Sequence, residues 1–387
     1  AAPGADVRAG GAGPEQVSMA SSEGVWTGAV GEKSFAEVPA SWAKDAARDL
    51  LKEKNAGLPA LDGVRLLLYA REEWGDAEAG AAAERALRDL PRDNPAGLPS
   101  FKPGTPPSPD EAARLAPVFW GAADLLSRAR ALTEFLAADG SAGALGAEAF
   151  LCAAAAGAEG AAWLERTRSA LEPLEAPHAS LGEASARISA LCGLFQITAD
   201  PALRRAADSL ARGLFQDLWE RERGGFMSRA PQNGAAAPPV VPEENAAAFE
   251  AVWRLHHVTG NPNYRKWLAW GLKGLAADAR ALPAAKQAGL ARVADMMARG
   301  RLYLELVGRP EDEKARALAL AALARHSPRR VLSWISPDDR DYVMAHKLSA
   351  PEYPALFACA DLKPVAFAQR PEEVPALFGA LSSAPKP

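Results

Sequence analysis

Neighbouring carboxylates are the residues of this sequence whose types and spacing could do chemistry. Glu243 and Glu244 follow a proline-rich stretch and precede Asn245, and Glu220 lies two residues before Glu222. Enzymes that convert sugars use paired carboxylates, or carboxylates with histidines, to donate and accept protons. We therefore predict Glu220, Glu243 and Glu244 as candidate catalytic residues. The alternative is structural, because carboxylates in the first turn of a helix stabilise its positive end.

Aromatic residues beside these carboxylates are candidates for binding a sugar ring. Trp219 and Phe226 flank a turn with two adjacent glycines, and aromatic rings pack against the apolar face of a pyranose. We predict both as ligand-binding residues, together with Asn245 and Trp253 further along the chain. An ordinary charged loop and a helical core would use the same residue types, so both interpretations stay open.

Metal and cofactor chemistry is not favoured by the residue spacing. His256 and His257 are adjacent, so on a helix their side chains point about 100° apart and do not suit one metal ion. Cys152, Cys192 and Cys359 are far apart and odd in number, which gives neither a CxxC site nor a disulfide framework. No glycine-rich nucleotide-binding motif is present. We predict no metal and no cofactor.

Repeated helix ends indicate the elements that must position these residues. New helices are expected after short polar turns, at Asp200 and at Asn261, each followed by proline. Gly260 suits the left-handed residue that closes a helix, and Asn261 suits the cap of the next one. With looser copies, including one at 306–310, and a further helical region at 111–138, the pattern predicts a mainly α protein. We expect an (α/α) toroid of helical hairpins, of the six-hairpin type.

The chain divides into three predicted parts. Residues 1–40 are a low-complexity segment, 41–326 form the hairpin toroid, and 327–387 form a small α/β cap. Within the cap, the short apolar runs at 330–335 and 355–360 are predicted strands. The low-complexity segment has the composition expected after removal of a leader peptide, so we expect a soluble, exported protein, for example in the periplasm.

Composition excludes two classes of partner. The chain has 387 residues, of which 49% are apolar and 24% charged, and this is enough to bury a large core. Its net charge is −4 and its basic residues are scattered, which argues against nucleic acid. No run reaches the roughly 18 apolar residues that a membrane helix needs. The expected partner is another protein or complex, or a carbohydrate.

The second half of the chain resembles a known family. Residues 188–226, with the glycine pair before Phe226, and residues 241–275, with Thr259 and Tyr264, carry the resemblance. They are similar to the C-terminal part of the thioredoxin-domain-containing, spermatogenesis-associated (YyaL-like) family. The resemblance implies a toroid like those of six-hairpin glycosidases and N-acylglucosamine 2-epimerases, with its active site in a central cavity. The sequence contains no counterpart of the family's N-terminal thioredoxin domain.

The resemblance also directs attention to His178 and Glu183. Members of the family carry an aspartate and a tyrosine in this region, so the two residues become candidates for proton transfer. Glu243 stands where the family has serine, and other strong family motifs have no match here. The resemblance therefore implies a diverged member with lost activity.

Two functions from different classes follow. The leading hypothesis is a non-catalytic or degenerate toroid, a pseudoenzyme that acts as a binding or accessory subunit of a larger assembly. The alternative is a carbohydrate-active enzyme, a sugar epimerase or glycosidase, that uses carboxylates of the cavity. The two differ in one structural feature: an enzyme needs two carboxylates, or a carboxylate and a histidine, converging in the central cavity. An open peptide-binding solenoid is a third, less favoured interpretation.

Overall fold

Twelve helices of the computed structural model form two concentric sets. The structure describes residues 38, 41–52, 61–122, 125–139, 143–156, 160–174, 180–231, 237–324, 329–360 and 363–383. The inner set comprises α2 (Leu61–Trp74), α4 (Pro109–Trp120), α6 (Gly143–Ala156), α8 (Leu181–Thr198), α10 (Pro242–Thr259) and α12 (Ala284–Arg299). The outer set comprises α1 (Trp42–Lys52), α3 (Ala77–Arg88), α5 (Leu126–Asp139), α7 (Gly160–Leu171), α9 (Pro201–Asp217) and α11 (Pro262–Arg280).

The inner helices close into a ring. Each of them packs against the next inner helix along the chain, and α12 packs back against α2. Five outer helices pair with the inner helix that precedes them, while α1 packs between α12 and α2 and completes the outer layer. This closed arrangement of six hairpins confirms the predicted (α/α) toroid. It also excludes the open solenoid, in which α12 and α2 would not meet.

The helix ends predicted from the sequence form as expected. The Oδ1 atom of Asp200 accepts a hydrogen bond from the amide of Ala202, and that of Asn261 accepts one from Asn263. Gly260 closes α10 with φ 71°, in the left-handed region. Each capped turn satisfies backbone groups that a helix end leaves unpaired, so it fixes a sharp reversal between an inner and an outer helix.

A four-stranded sheet follows the toroid. Its strands are β3 (Leu302–Val307), β4 (Arg330–Ile335), β5 (Ala355–Ala360) and β6 (Lys363–Ala368), in the order β4-β3-β5-β6; a two-stranded ribbon, β1 (Trp219–Glu220) and β2 (Gly225–Phe226), lies earlier in the chain. β3 and β4 are parallel, while β5 is antiparallel to β3 and β6. The helices α13 (Glu313–Leu323) and α15 (Val374–Ser383) pack on one face, and α14 (Arg340–Ala345) packs on the other.

The sheet confirms the cap but begins earlier than the predicted boundary at 327. The predicted strands at 330–335 and 355–360 are β4 and β5. The sequence predicted a helical hairpin at 306–310. The structure instead has the end of β3 and the turn that follows it. A short apolar run followed by glycine and proline is the same local pattern whether the run is a strand or the end of a helix. Here the run forms a strand because it pairs with β4 and β5. Most of the predicted 1–40 segment lies outside the described residues.

Three inner-helix contacts fix the sheet to the toroid. The amide of Leu332 donates a hydrogen bond to Oε1 of Gln196, and Nε1 of Trp334 donates one to the backbone oxygen of Gln196. Each hydrogen bond is 2.8 Å long. The Arg329 guanidinium forms an ion pair with Glu73, and both side chains are over nine-tenths buried. Gln196 and Glu73 lie near the C-terminal ends of α8 and α2. The sheet therefore covers the C-terminal end of the inner ring. Among the helices of the described residues, none has both the length and the apolar composition of a membrane-spanning segment.

The close packing of α11 on the β1–β2 turn yields a stability prediction. A Cβ atom added to Gly274 would lie 1.8 Å from the backbone oxygen of Arg223, so something must shift. Gly274→Ala should lower the free energy of unfolding by about 1–3 kcal/mol, the usual cost of overpacking. The control is Gly182→Ala in α8, where a Cβ atom meets nothing within 4 Å.

Gly182→Ala should leave stability unchanged or raise it by up to about 1 kcal/mol, because alanine is the better helix former. Chemical denaturation followed by circular dichroism measures both variants. Equal stability of the two would contradict the packing described for Gly274.

Candidate functional site

The predicted carboxylates of α10 lie in its first helical turn. Glu243 is 3.4 Å from Nζ of Lys286, and Glu244 is exposed. Asn245 is buried and hydrogen-bonded to backbone groups: Oδ1 accepts from the amide of Phe226 at 2.7 Å, and Nδ2 donates to the backbone oxygens of Phe226 and Val241. The structure thus brings Asn245 and Phe226 together as partners of each other.

The second predicted cluster is also occupied by local contacts. The two carboxylate oxygens of Glu220 accept hydrogen bonds from the amides of Glu222 and Arg223, at 2.9 and 2.7 Å. Trp219 is 7% exposed and packs among aromatic rings, with the Phe226 ring 4.9 Å away. Glu220 therefore stabilises the turn, and Trp219 offers little surface to a ligand.

The remaining predicted residues do not converge on one place. Glu183 lies in the first turn of α8, where its amide donates to the capping hydroxyl of Ser180. Trp253 is buried with its ring 4.2 Å from that of His257. His178 lies outside the described residues. Within the described part of the chain, no group of three or more potential ligands could hold a metal ion.

The two adjacent histidines have separate surroundings. Nδ1 of His256 lies 2.8 Å from the backbone oxygen of Asn261, while Nε2 of His257 is buried without a hydrogen-bond partner among the described residues. Burial, helped by His256 and Arg301, lowers the pKa of His257 to about 2. His257 is therefore neutral at all physiological pH values.

A cluster of charged side chains occupies the centre of the ring, and sequence reasoning missed it. Arg254 lies between two glutamates, 2.7 Å from Glu250 and 3.7 Å from Glu148. The other oxygen of Glu250 is 2.6 Å from Arg292. These four residues come from α6, α10 and α12. We call them, together with Arg65 of α2, the central cluster.

Arg65 differs from the other two arginines of the central cluster. Glu148, Asp62 and Glu250 act on Arg65 through their charges. Burial lowers the pKa of Arg65, whereas the three carboxylates raise it. The net effect is an increase in the pKa. Its side chain is partly exposed towards a small cavity of about 20 Å³. Such a volume holds about one water molecule.

The cavity lies between the inner helices α2, α4 and α12. Its polar lining is Arg65, Tyr69, Glu72 and Arg292, and its apolar lining includes Pro117 and Val118 of α4. The Tyr69 hydroxyl donates a hydrogen bond to Asp295 at a distance of 2.7 Å. Burial raises the pKa of Tyr69 above its ordinary value. The tyrosine is therefore a neutral hydrogen-bond donor beside charged groups.

The two carboxylates of the central cluster differ in exposure and in their distances to the arginines. Glu250 contacts two guanidiniums, and its side chain is 9% exposed. Glu148 contacts Arg254 at the longer distance, and its side chain is 20% exposed. One turn further along α6, burial and Glu148 raise the pKa of Cys152 to about 12, so that residue is a neutral thiol. Glu148 is thus the more exposed of the two carboxylates.

The sequence contained a signal for these residues. Single charges interrupt otherwise apolar helices, as Glu148 does in an alanine-rich stretch and Arg292 does between glycine, leucine and valine. A charge at a core position is rarely retained without a partner. The partners lie far away in the sequence, so only the closed ring shows that the charges meet.

Comparisons with known proteins give distant similarities. No family model matches the chain, and no curated protein matches it either, so the resemblance to the thioredoxin-domain-containing family has no support. The crystal structure of a D-mannose isomerase aligns over 55% of this chain and 73% of its own, with 14% identity and a TM-score of 0.46.

A GH76 α-mannanase from Bacteroides thetaiotaomicron aligns over 64% of this chain and 73% of its own, with 12% identity and a TM-score of 0.33. Likenesses this distant carry no argument about function. The toroid is established here by the packing of its own helices.

Removal of one charge should show how strongly the central cluster is coupled. Glu250→Gln leaves Arg254 and Arg292 without their shared carboxylate, so we expect a loss of about 3–5 kcal/mol in unfolding free energy. The control is Glu134→Gln on α5, where the ion pair with Arg130 is exposed and should contribute less than about 1 kcal/mol. Urea denaturation at neutral pH checks both. Similar losses for the two variants would contradict a tightly coupled centre.

The pKa of His257 predicts a pH dependence. The unfolded chain binds a proton at this histidine below about pH 6.5, whereas the folded chain keeps it neutral. Stability should therefore fall with decreasing pH, by about 1.4 kcal/mol from this group between pH 7.5 and 5.5. His257→Gln should remove that part of the slope in denaturation measured at both pH values. An unchanged slope would show that His257 titrates alike in both states.

Proposed function

We propose that this toroid acts on a carbohydrate by proton transfer at the central cluster. The observation that supports it is the convergence of two carboxylates and three guanidiniums from four inner helices at one point on the ring axis. Converging carboxylates are the feature that separates an enzyme from an inert scaffold. The proposal is the sequence-derived alternative, a carbohydrate-active enzyme, in preference to the non-catalytic accessory subunit.

The different exposure and arginine contacts of the two glutamates favour isomerisation over glycoside hydrolysis. Hydrolysis requires two carboxyl groups in separate roles, one of which is protonated. Glu250 is committed to two guanidiniums that favour its ionised form. A single carboxylate is enough to move a proton between neighbouring carbons on one face of an aldose or ketose.

In this scheme Glu148 is the base and then the acid. The C–H bond next to the sugar carbonyl breaks, its proton passes to the Glu148 carboxylate, and its electron pair moves to the carbonyl oxygen. Arg254, which lies beside Glu148, stabilises the negative charge that develops on that oxygen. The hydroxyl group on the deprotonated carbon then gives its proton to that oxygen and becomes the new carbonyl, while the carbon–carbon double bond takes the proton from Glu148 at the former carbonyl carbon. The product is the isomeric sugar, and no oxidant or reductant is consumed. Because the cavity has room for about one water molecule, sugar entry requires displacement of cluster side chains.

One observation favours the second candidate function, a non-catalytic binding or accessory subunit. The carboxylates of Glu148 and Glu250 both face guanidiniums, an arrangement that fills the centre and links helices without any ligand. In that case the cluster is structural and a protein partner binds elsewhere on the toroid.

Proton exchange in heavy water separates the two candidates. The wild-type protein should incorporate deuterium next to the carbonyl of at least one aldose in a panel followed by NMR. Glu148→Gln should reduce the rate about 10²–10⁴-fold, the usual contribution of general acid–base catalysis. Circular dichroism verifies folding, and Glu134→Gln serves as the exposed-carboxylate control. Absence of exchange with every sugar in the wild type would favour the accessory subunit.

A further inference from the structure

The four-stranded sheet has one covered edge and one open edge. At the covered edge, β4 lies against α8 and α10, and the side chain of Gln196 accepts the hydrogen bond of the Leu332 amide. At the open edge, β6 pairs with β5 on one side and with no strand of the described residues on the other. An edge strand presents a row of backbone N–H and C=O groups to which a further strand can pair.

Protection of the open edge is confined to the first half of β6. Lysine, proline and β-bulges are common devices that keep an edge strand from pairing with another chain. Lys363 and Pro364 begin β6, and its pairing with β5 shifts register at Ala358 and Cys359. Residues 365–368 contain neither a charge nor a proline. The second half of β6 is therefore the part of the edge that can accept a strand.

Two apolar side chains lie exposed along this second half. Val365 is 42% exposed and Phe367 is 45% exposed. The Phe367 ring lies 5.8 Å from that of Phe357, so both belong to the face of the sheet that carries α14. Because α14 has only six residues, it covers this face beside β3 and β5 but leaves β6 uncovered. An exposed apolar pair beside an open edge indicates an interaction surface.

We propose that β6 pairs with β6 of a second copy of this chain, in antiparallel orientation, so that two sheets form one eight-stranded sheet. Antiparallel pairing of a strand with itself is two-fold symmetric, as in most homodimers. With Ala366 on the two-fold axis, Val365 of one protomer lies opposite Phe367 of its partner. The exposed apolar side chains of both protomers then meet on one face. On the other face the small side chain of Ala366 leaves room for close approach.

Charge complementarity argues for a second copy as the occupant of this edge. In the same pairing, Lys363 of one protomer lies opposite Gln369 of its partner, next to the turn at 370–373. That turn has Arg370 and two glutamates, of which Glu372 is 65% exposed, so its net charge is negative. Within one chain, residues 363 and 369 are about 20 Å apart along the strand. The lysine and the acidic turn can therefore meet only between copies.

Sedimentation velocity of the full chain tests the proposal. A single strand pair is a small contact, so we expect a dimer with a dissociation constant of about 1–100 µM. Phe367→Lys and Val365→Lys should each raise that constant at least about tenfold, because they place like charges on the shared face. The matched control is Phe101→Lys, in the loop between α3 and α4, where the phenylalanine is 43% exposed. It should leave the constant unchanged, and circular dichroism verifies that each variant is folded.

A charge exchange tests the orientation of the two strands. Lys363→Glu should weaken the dimer about three- to tenfold, because it brings a glutamate next to the acidic turn of the partner. Adding Glu372→Lys to the same chain should restore the wild-type dissociation constant. The two positions are too far apart within one chain for such a rescue to arise inside a monomer.

The outcomes are separate from those of the deuterium-exchange experiment. A dimer that Phe367→Lys dissociates and Phe101→Lys does not, with rescue by the charge exchange, supports the proposal. A wild-type protein that stays monomeric at about 200 µM overturns it and leaves the edge to a different partner. A dimer that is unaffected by folded Phe367→Lys and Val365→Lys, or a Lys363→Glu defect that Glu372→Lys does not reverse, overturns it as well.

Discussion

Closure of the inner ring is the constraint on which the rest of the structure depends. Six helices around one axis must each bury a face against two neighbours and a third face towards the centre, so they are apolar over most of their circumference. Charges that remain at the centre are far from bulk water and are stable only when they pair. Glu250 and Arg254, one turn apart on α10, connect that helix to α12 and α6. The ring and its charge network therefore depend on each other.

The sheet adds a second packed unit at one end of this ring. Its strand order, with β5 antiparallel to the other strands and helices on both faces, is that of a thioredoxin fold. Fold alone assigns no function, and the turn after β3, at 308–312, contains no cysteine. The sheet's own buried charge, Glu305, accepts a hydrogen bond from the Tyr342 hydroxyl at 2.7 Å and contacts the Cys359 thiol at 3.4 Å. Burial and Glu305 raise the pKa of that thiol, which argues against a reactive cysteine.

Local signals in the sequence predicted local structure well. The caps at Asp200 and Asn261 have side chains that satisfy a helix end within two residues, so their effect needs no tertiary information. The strand β3 was mistaken for a hairpin end because its partners, β4 and β5, lie far along the chain. The central cluster was missed for the same reason. Arg65 and Arg292 are distant in sequence and become neighbours only when α12 packs against α2.

The carboxylates that the sequence singled out have a common physical explanation. Each inner helix alternates with an antiparallel outer helix, so the six inner helices are parallel and their positive N-terminal ends lie together at the end of the ring opposite the sheet. Acidic residues occupy the first turns of α2, α4, α8 and α10, and they include Glu183, Glu243 and Glu244. A negative charge there offsets the partial positive charge of each helix end. The same parallel arrangement explains why carboxylates recur at equivalent positions without forming one catalytic pair, while the proton transfer proposed for this protein lies deeper in the ring, at Glu148 and Arg254.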